Sequence, residues 1–245
     1  MRASPEVPSI LVWAEYYCPW CYVAAVRLRR VAAEFEGRVR PVIKPFPLEL
    51  VRGEPAPRDI LEQEWWLAAM QEPDARFAPY RGADWPTTTL PAFEAAWCAA
   101  QEGPGAGLDY DLRVRRAFFA EGRNIGNRDV LLDIAYEARL DVDRFRTRWQ
   151  SGRARAAVLS GAEEGRERFG VRRTPTLVLS DGTPLTLPMA VPHFADRRIT
   201  SVGPLTCAGA ACDPATRLLF ERASQSAAGQ PSDNRHAAGV AGSPS

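Results

Sequence analysis

The feature that most constrains this chain is a pair of cysteines, Cys18 and Cys21, placed where a predicted strand meets a predicted helix. Residues 9–14 are apolar and β-prone, and apolar residues within 20–36 recur at the spacing of a helix that buries one face. Residues 39–46 form a second predicted strand. The chain therefore opens with a β-α-β unit that carries a C-x-x-C motif at the start of its helix.

Helical patterns dominate the middle of the chain. The predicted helices cover residues 59–70, 91–101, 108–121, 128–140, 142–150 and 153–169. Asn127, Asp141 and Ser151 each precede one of these helices, where a short polar side chain can satisfy free amide groups. In the opening helix, the same periodicity predicts Arg27 on a polar face, away from the apolar residues.

Prolines and turn residues punctuate the predicted strands. Pro41 and Pro45 break the second strand, because proline cannot donate a ladder hydrogen bond. Farther along, apolar segments at 176–179 and 184–187 flank an Asp-Gly turn at 181–182, which is a strong hairpin signal. The chain therefore returns to β structure after its helical block.

The order of these elements predicts an α/β protein with a thioredoxin-like fold that contains an inserted all-helical subdomain. The predicted parts are the first part of the core at 1–57, the helical insertion at 58–152, the second part of the core at 153–190, a C-terminal extension at 191–222 and a tail at 223–245. We expect the tail to be disordered, because Ser, Ala, Gly, Gln and Pro dominate its composition.

Charge and hydropathy argue against several kinds of partner. The formal net charge is +1, so there is no basic surplus to attract nucleic acid or an anionic membrane. The apolar run at 10–14 ends at Glu15, well short of the roughly 7 to 15 residues in the core of a secretion signal. We therefore expect a cytoplasmic protein with neither a nucleic-acid nor a membrane partner. In a reducing compartment, a C-x-x-C pair is catalytic or metal-binding more often than a structural staple.

The predicted position of the cysteines suits thiol-disulfide exchange. The thiolate is the reactive form of cysteine, and free amide groups at a helix N-terminus, together with the helix dipole, favour the thiolate of Cys18. Cys21 lies one turn inside the helix, where it can resolve a mixed disulfide. Neither step requires a cofactor.

Three neighbours are candidates for tuning this pair. Pro19 and Trp20 separate the cysteines and supply no cation beside the thiolate, which predicts a weakly oxidising couple. Glu15 lies just before the motif and has two alternative interpretations. It either relays a proton for the buried cysteine or faces solvent at the end of the strand.

A second close pair, Cys207 and Cys212, allows other interpretations of the cysteines. With the C-x-x-C motif it would supply the four ligands of a zinc site, for which Cys98, His193 and His236 are the other available donors. The strand-to-helix setting favours redox chemistry over zinc, so no metal is predicted. The second pair either forms a disulfide that relays electrons or consists of two loop thiols, and we favour the loop thiols because this spacing has no fixed geometry.

The motifs together resemble the DsbA-like thioredoxin superfamily and, within it, the cytoplasmic FrnE-like oxidoreductases. The similar segments are E-Y-Y-C-P-W-C-Y at 15–22, P-F-P-L at 45–48, A-F-F-A-E-G at 117–122, V-L-L-D-I-A at 130–135, L-D at 140–141 and F-G-V-R-R-T-P-T at 169–176. The resemblance implies that Pro175 is cis and that its loop lies against Cys18 to pair with substrate. The chain departs from the family at Arg173 and Thr174, where Gly and Val are more usual.

We therefore predict a thiol-disulfide oxidoreductase in which Cys18 attacks, Cys21 resolves and Pro175 presents the substrate. Its expected partners are protein thiols and disulfides or glutathione, the latter as a co-substrate. Two alternatives remain at the level of the sequence. One is a glutathione-dependent isomerase or transferase of a small aromatic compound, as in relatives of the same architecture, and the other is a non-enzymatic redox sensor or holdase that uses the second cysteine pair.

Overall fold

A four-stranded mixed sheet forms the base of the protein, in a computed structural model that describes residues 7–54 and 57–228. The strands are β1 (Ser9–Ala14), β2 (Arg40–Pro45), β3 (Thr176–Leu179) and β4 (Pro184–Leu185), in the order β2-β1-β3-β4. β1 runs parallel to β2 and antiparallel to β3, which pairs in turn with β4. This sheet and the helices around it confirm the predicted α/β class.

The two prolines of β2 leave the strand intact, contrary to the prediction that they break it. The amides of Arg40 and Phe46 point towards β1 and donate to Pro8 and Ala14, at 3.0 Å each. Since alternate amides point in opposite directions along a strand, Pro41 and Pro45 belong to the set that faces the free edge. They remove donors only from that edge, which protects it from pairing with another chain.

Nine helices are present in the described part of the chain. They are α1 (Pro19–Ala32), α2 (Leu48–Arg52), α3 (Arg58–Gln71), α4 (Leu90–Ala100), α5 (Pro104–Phe119), α6 (Arg128–Glu137), α7 (Val142–Gln150), α8 (Arg153–Glu167) and α9 (Asp213–Ala228). Short 3-10 turns at Ala33–Phe35 and Gly209–Cys212, and a second hairpin of β5 (Pro192–Ala195) and β6 (Arg198–Val202), complete the structure. Asn127 and Asp141 cap α6 and α7 as predicted. Gly152, rather than Ser151, is the N-cap of α8.

Helices cover both faces of the sheet. α1 and α9 share a core with one face of β1, whereas α8 lies on the other face against Trp13. The Trp13 indole donates to the carbonyl oxygen of Gly161 at 3.1 Å. Gly165 lies so close to the same ring that a Cβ atom would clash with it. A small residue at this position lets α8 pack directly on the sheet.

A buried arginine joins the helical subdomain to the core. Arg27 of α1 pairs with Glu72 at 3.1 Å and donates to the carbonyl oxygens of Gln71 and Pro188. Both side chains of the pair are fully buried. The prediction that Arg27 lies on a polar face is therefore wrong, because the end of α3 covers that face of α1. The contact fixes the end of α3 against the second half of α1.

The predicted disorder of the tail is wrong at its start. α9 continues through residue 228, and Ala223 is buried within the core beneath it. The Phe220 ring packs on Phe35 with centroids 5.1 Å apart, so α9 buries an apolar face that the polar composition concealed. Residues 229–245, including His236, lie outside the described residues.

Candidate active site

Cys18 and Cys21 lie together at the N-terminus of α1, as the sequence predicts. Cys18 is the N-cap residue and Pro19 the first helical residue, a position that proline favours because no helical donor is lost there. The Cys21 amide donates to the carbonyl oxygen of Cys18 at 3.1 Å, so the two side chains are one turn apart. Both are free thiols, and their exposed fractions are 7% for Cys18 and 1% for Cys21.

The Thr174–Pro175 peptide bond is cis and lies beside this pair. Pairing of Thr176 with Trp13 brings the start of β3 level with the end of β1. As a result, the Cys18 thiol donates to the carbonyl oxygen of Thr174 at 3.4 Å. The structure thus brings Cys18 into direct contact with the residue that precedes the cis Pro175.

The ionisation of the reduced pair differs from the expectation that the thiolate is favoured at Cys18. Burial raises the pKa of Cys18 well above its ordinary value, and its sulfur donates to a carbonyl rather than accepting from an amide. Burial also opposes ionisation of Cys21. The neighbouring Cys18 thiol, the positive charge of Arg115 and the Glu15 amide, 3.4 Å from the sulfur, nevertheless lower the pKa of Cys21. The two sulfurs therefore share one titration, and Arg115 and the Glu15 amide favour a negative charge on the pair.

Arg115 of α5 is the cation next to the pair, and no sequence motif indicated it. Its side chain is fully buried and forms a bidentate pair with Asp111, with distances of 2.8 and 3.1 Å. It also donates to the carbonyl oxygen of Glu15 at 3.0 Å, and its guanidinium lies 4.7 Å from the centre of the Tyr16 ring. The helical insertion therefore supplies a fixed positive charge next to the C-x-x-C motif.

Glu15 is fully buried, so the alternative that it faces solvent is wrong. Its carboxylate accepts from the amides of Tyr16 and Leu48 at 2.6 Å each and from Tyr17 at 3.4 Å. Burial outweighs these bonds and raises the pKa of Glu15 to about 7. The carboxylate thereby ties the segment before Cys18 to the start of α2, and its ionisation changes near neutral pH.

A groove of about 1050 Å³ opens beside Cys18 between the core and the insertion. Trp20, predicted as a tuning residue, lines it, and its indole nitrogen is buried. Glu64 of α3 also lines the groove, and burial raises the pKa of its carboxyl. Glu64 was not predicted as a site residue, because it becomes a neighbour of Trp20 only through the packing of α3 on α1. Cys21 does not line the groove.

The second cysteine pair is a disulfide, so the preference for two loop thiols is wrong. Cys207 and Cys212 are bonded with a Cα–Cα distance of 5.2 Å, and the 3-10 turn at Gly209–Cys212 brings them together. Cys212 is fully buried at the start of α9, where Asp213 pairs with Arg30 of α1 at 2.8 Å. Neither cysteine lines the active-site groove.

Other sequence candidates are not brought to this site. Cys98 is buried in the core of the helical subdomain, and His193 of β5 lines the far part of the groove. Within 7–54 and 57–228, no three His, Cys, Asp or Glu side chains are grouped as a metal site would require. None of the helices described here is long and apolar enough to cross a membrane.

Comparison with known proteins links this geometry to one family. The family described as the DSBA-like thioredoxin domain matches residues 9–193. The uncharacterized protein YwbO of Bacillus subtilis is 27% identical over 184 residues, which are 70% of this chain and 86% of YwbO.

Solved structures show the same fold. A candidate protein disulfide isomerase from Nitrosomonas europaea superimposes with a TM-score of 0.66 at 18% identity, covering 90% of this chain and 99% of the other. The cytosolic disulfide reductase DsbM from Pseudomonas aeruginosa, solved with GSH, gives a TM-score of 0.61 at 20% identity and covers 87% and 98% of the two chains. At these identities the likeness is one of fold.

Proposed function

Because this chain belongs to the DSBA-like thioredoxin family, we propose that it exchanges disulfides with thiol partners through the Cys-Pro-Trp-Cys motif. Cys18 is the attacking cysteine and Cys21 the resolving cysteine. The observation that carries this assignment is the asymmetry of the pair, since Cys18 lines the groove and Cys21 lies beneath it. A partner in the groove meets only one of the two sulfurs.

The reaction begins with a proton transfer inside the pair. The proton of Cys18 passes to the ionised sulfur of Cys21, which leaves Cys18 as a thiolate. The Cys18 thiolate attacks one sulfur of the partner disulfide, and the other sulfur leaves as a thiolate. Cys21 then gives this proton to the leaving thiolate and is itself left as a thiolate.

The second exchange releases the partner. The Cys21 thiolate attacks the Cys18 sulfur, displaces the second partner thiolate and closes the Cys18–Cys21 disulfide. Two electrons have then passed from the protein to the partner. A dithiol, or two molecules of glutathione, regenerates the reduced pair by the reverse sequence, so no bound cofactor is needed. Pro175 and Thr174 hold the partner segment against Cys18.

Partners and compartment follow as parts of the same proposal. We propose protein thiols or glutathione as reactants in the cytoplasm, within the FrnE-like group. Support comes from the fold shared with a cytosolic disulfide reductase that was solved with GSH. The buried cation next to the pair, Arg115, also stabilises the reduced, partly ionised state.

Trapping the mixed disulfide tests this assignment. In a Cys21→Ser variant, incubation with a peptide disulfide is expected to give one covalent adduct, mapped to Cys18 by mass spectrometry. The same variant with Cys18→Ala added is the matched control and should remain unmodified. No adduct, or an adduct at Cys98 instead, would show that the mechanism is wrong.

A further inference from the structure

We propose that the groove beside Cys18 selects protein segments with carboxylates on one side of their reactive cysteine and apolar side chains on the other. The inference rests on the proposed exchange at Cys18 and adds a substrate class to it. Three features of the groove carry it: unpaired arginines at one end, exposed apolar side chains at the other, and the order of the strands that separates them.

The cationic end consists of Arg52, Arg172 and Arg173. All three are exposed and line the groove. In the described part of the chain, no carboxylate lies within ion-pair distance of any of them, whereas Arg27, Arg30 and Arg115 have such partners. Arg172 instead donates to the backbone oxygens of Arg166 and Val171 at 3.1 Å each, which holds its charge in place. A carboxylate on a bound partner would form the ion pairs that these arginines lack within the protein.

The groove offers little negative charge to oppose them. Glu64 supplies the one carboxyl among the lining residues in the described part of the chain. Three arginines against this one carboxyl leave the lining with net positive charge, although Arg52 lies near enough to Glu64 to lower the pKa of that carboxyl against the effect of burial. Opposite charges speed the encounter of a partner and reject like-charged competitors.

The opposite end of the groove is apolar. Met189, Val191, Pro192 and Phe194 line it. Val191 and Phe194 are 51% and 37% exposed, even though their side chains are entirely apolar. Exposed apolar side chains clustered in a groove favour an apolar partner. Glutathione has no apolar side chain, so this end favours a protein segment over the tripeptide.

Strand order keeps the two ends apart. α2, which carries Arg52, follows β2 at one edge of the sheet, whereas the segment with Val191 and Phe194 follows β4 at the other edge. Cys18 follows the central strand β1, between these edges. Arg172 and Arg173 precede β3, but the neighbouring Val171 packs in one buried cluster with Phe46 and Leu48 at the start of α2. A partner that lies across the strand ends therefore meets the arginines beside α2 and the apolar side chains on opposite sides of its cysteine.

The test uses peptides that carry one cysteine in a mixed disulfide with 2-mercaptoethanol. One peptide has Asp and Glu before the cysteine and Leu and Val after it, and a second has Lys in place of the acidic residues. A third has Ser and Asn in place of the apolar residues. For the wild-type protein, we expect kcat/KM for the acidic peptide to exceed that for the lysine peptide at least tenfold, and the ratio to fall with added salt. We expect the polar peptide to react about tenfold more slowly than the acidic-apolar one.

Variants link the preference to the named side chains. Arg172→Glu with Arg173→Glu should bring the acidic-to-lysine ratio to one or below, and Arg52→Glu, on a separate helix, should lower it independently. Arg81→Glu makes a matched charge change at an exposed residue outside the groove and should leave the ratio as it is. A ratio near one in the wild-type protein, or one unaffected by the groove variants, would overturn the proposal.

Two further substrates separate the possible outcomes. Reduction of neutral bis(2-hydroxyethyl) disulfide, lost in Cys18→Ser, reports the exchange reaction itself, so a missing charge preference with this activity intact overturns only the substrate class. Glutathione disulfide also carries carboxylates, so it tests whether the groove prefers the tripeptide to a protein segment. If it reacts faster than the acidic-apolar peptide, the proposed protein segment is wrong.

Discussion

The two cysteine pairs of this protein differ in access and in electrostatic surroundings. Cys18 and Cys21 are free thiols at a helix N-terminus, beside an open groove. Cys207 and Cys212 form a disulfide at the start of α9, with Cys212 fully buried and neither sulfur at the groove. Close spacing in sequence is common to both pairs, so spacing alone does not make a pair reactive.

Buried charge is the second difference. Arg115 and Glu15 lie directly against the C-x-x-C segment, and both are fully buried. Near the other pair, the charged contact is Asp213 with Arg30, which are 15% and 24% exposed, and Arg30 also pairs with Asp74 and the buried Glu72. We infer that the first pair is built to change its charge and bonding, whereas the second fastens α9 to α1.

The largest expected effect separates the pairs by activity. Cys18→Ser should reduce disulfide exchange to the uncatalysed rate, because serine does not form the attacking thiolate. Cys207→Ser should exchange at the wild-type rate in the same assay. Loss of activity in Cys207→Ser, with its fold intact by circular dichroism, would contradict the division of roles.

The next effect concerns Glu15 and the stability of the fold. Its pKa of about 7 lies above the ordinary value of 4.5, so between these pH values the folded protein binds a proton that the unfolded chain lacks. The contribution of Glu15 to stability is therefore largest below pH 4.5 and falls as the pH rises towards 7, by about 3 kcal/mol in total. The free energy of unfolding, measured with denaturant across this pH range, should fall less steeply for Glu15→Gln than for the wild-type protein. The exposed Glu36→Gln serves as a control, and parallel curves for all three proteins would contradict the prediction.

A smaller effect on stability is expected for the second pair. The disulfide closes a short loop, with a sequence separation of 5, and loop entropy gives it about 2 kcal/mol of stabilisation. Cys207→Ser should lower the free energy of unfolding by this amount in urea. An unchanged unfolding curve would mean that the disulfide does not fasten α9.

The smallest expected effect concerns Arg115. Removing its charge in Arg115→Met destabilises the ionised, reduced pair and should lower the reduction potential of Cys18–Cys21 by about 30 mV, a tenfold change in the equilibrium constant. Asp111→Asn leaves the cation less neutralised and should shift the potential the other way. Shifts in the same direction in both variants would indicate a packing effect instead of an electrostatic one.

Local patterns made much of the core predictable. The apolar run of β1, the proline at the start of α1 and the Thr-Pro segment before β3 are each readable within a few residues. Their meeting at Cys18 follows from the β-α-β order and the family resemblance. The capping residues Asn127 and Asp141 were equally local, since a side chain two or three residues away satisfies the amide.

The parts that resisted prediction depend on contacts between distant segments. The helical periodicity of α1 places Arg27 on a polar face, and Arg27 is buried only because the end of α3 packs over it and Glu72 pairs with it. Arg115 and Glu64 come from the insertion and reach the motif through tertiary packing. The Cys207–Cys212 bond depends on a 3-10 turn that its Ala- and Gly-rich spacer did not indicate.

A redox titration that resolves the two pairs tests the central claim most directly. The wild-type protein is equilibrated in glutathione buffers of graded potential, its free thiols are alkylated, and each cysteine peptide is quantified by mass spectrometry. We predict that Cys18 and Cys21 pass between dithiol and disulfide within the range of the buffers, while Cys207–Cys212 stays oxidised throughout. Titration of Cys207–Cys212 with Cys18 and Cys21 unchanged would contradict the account.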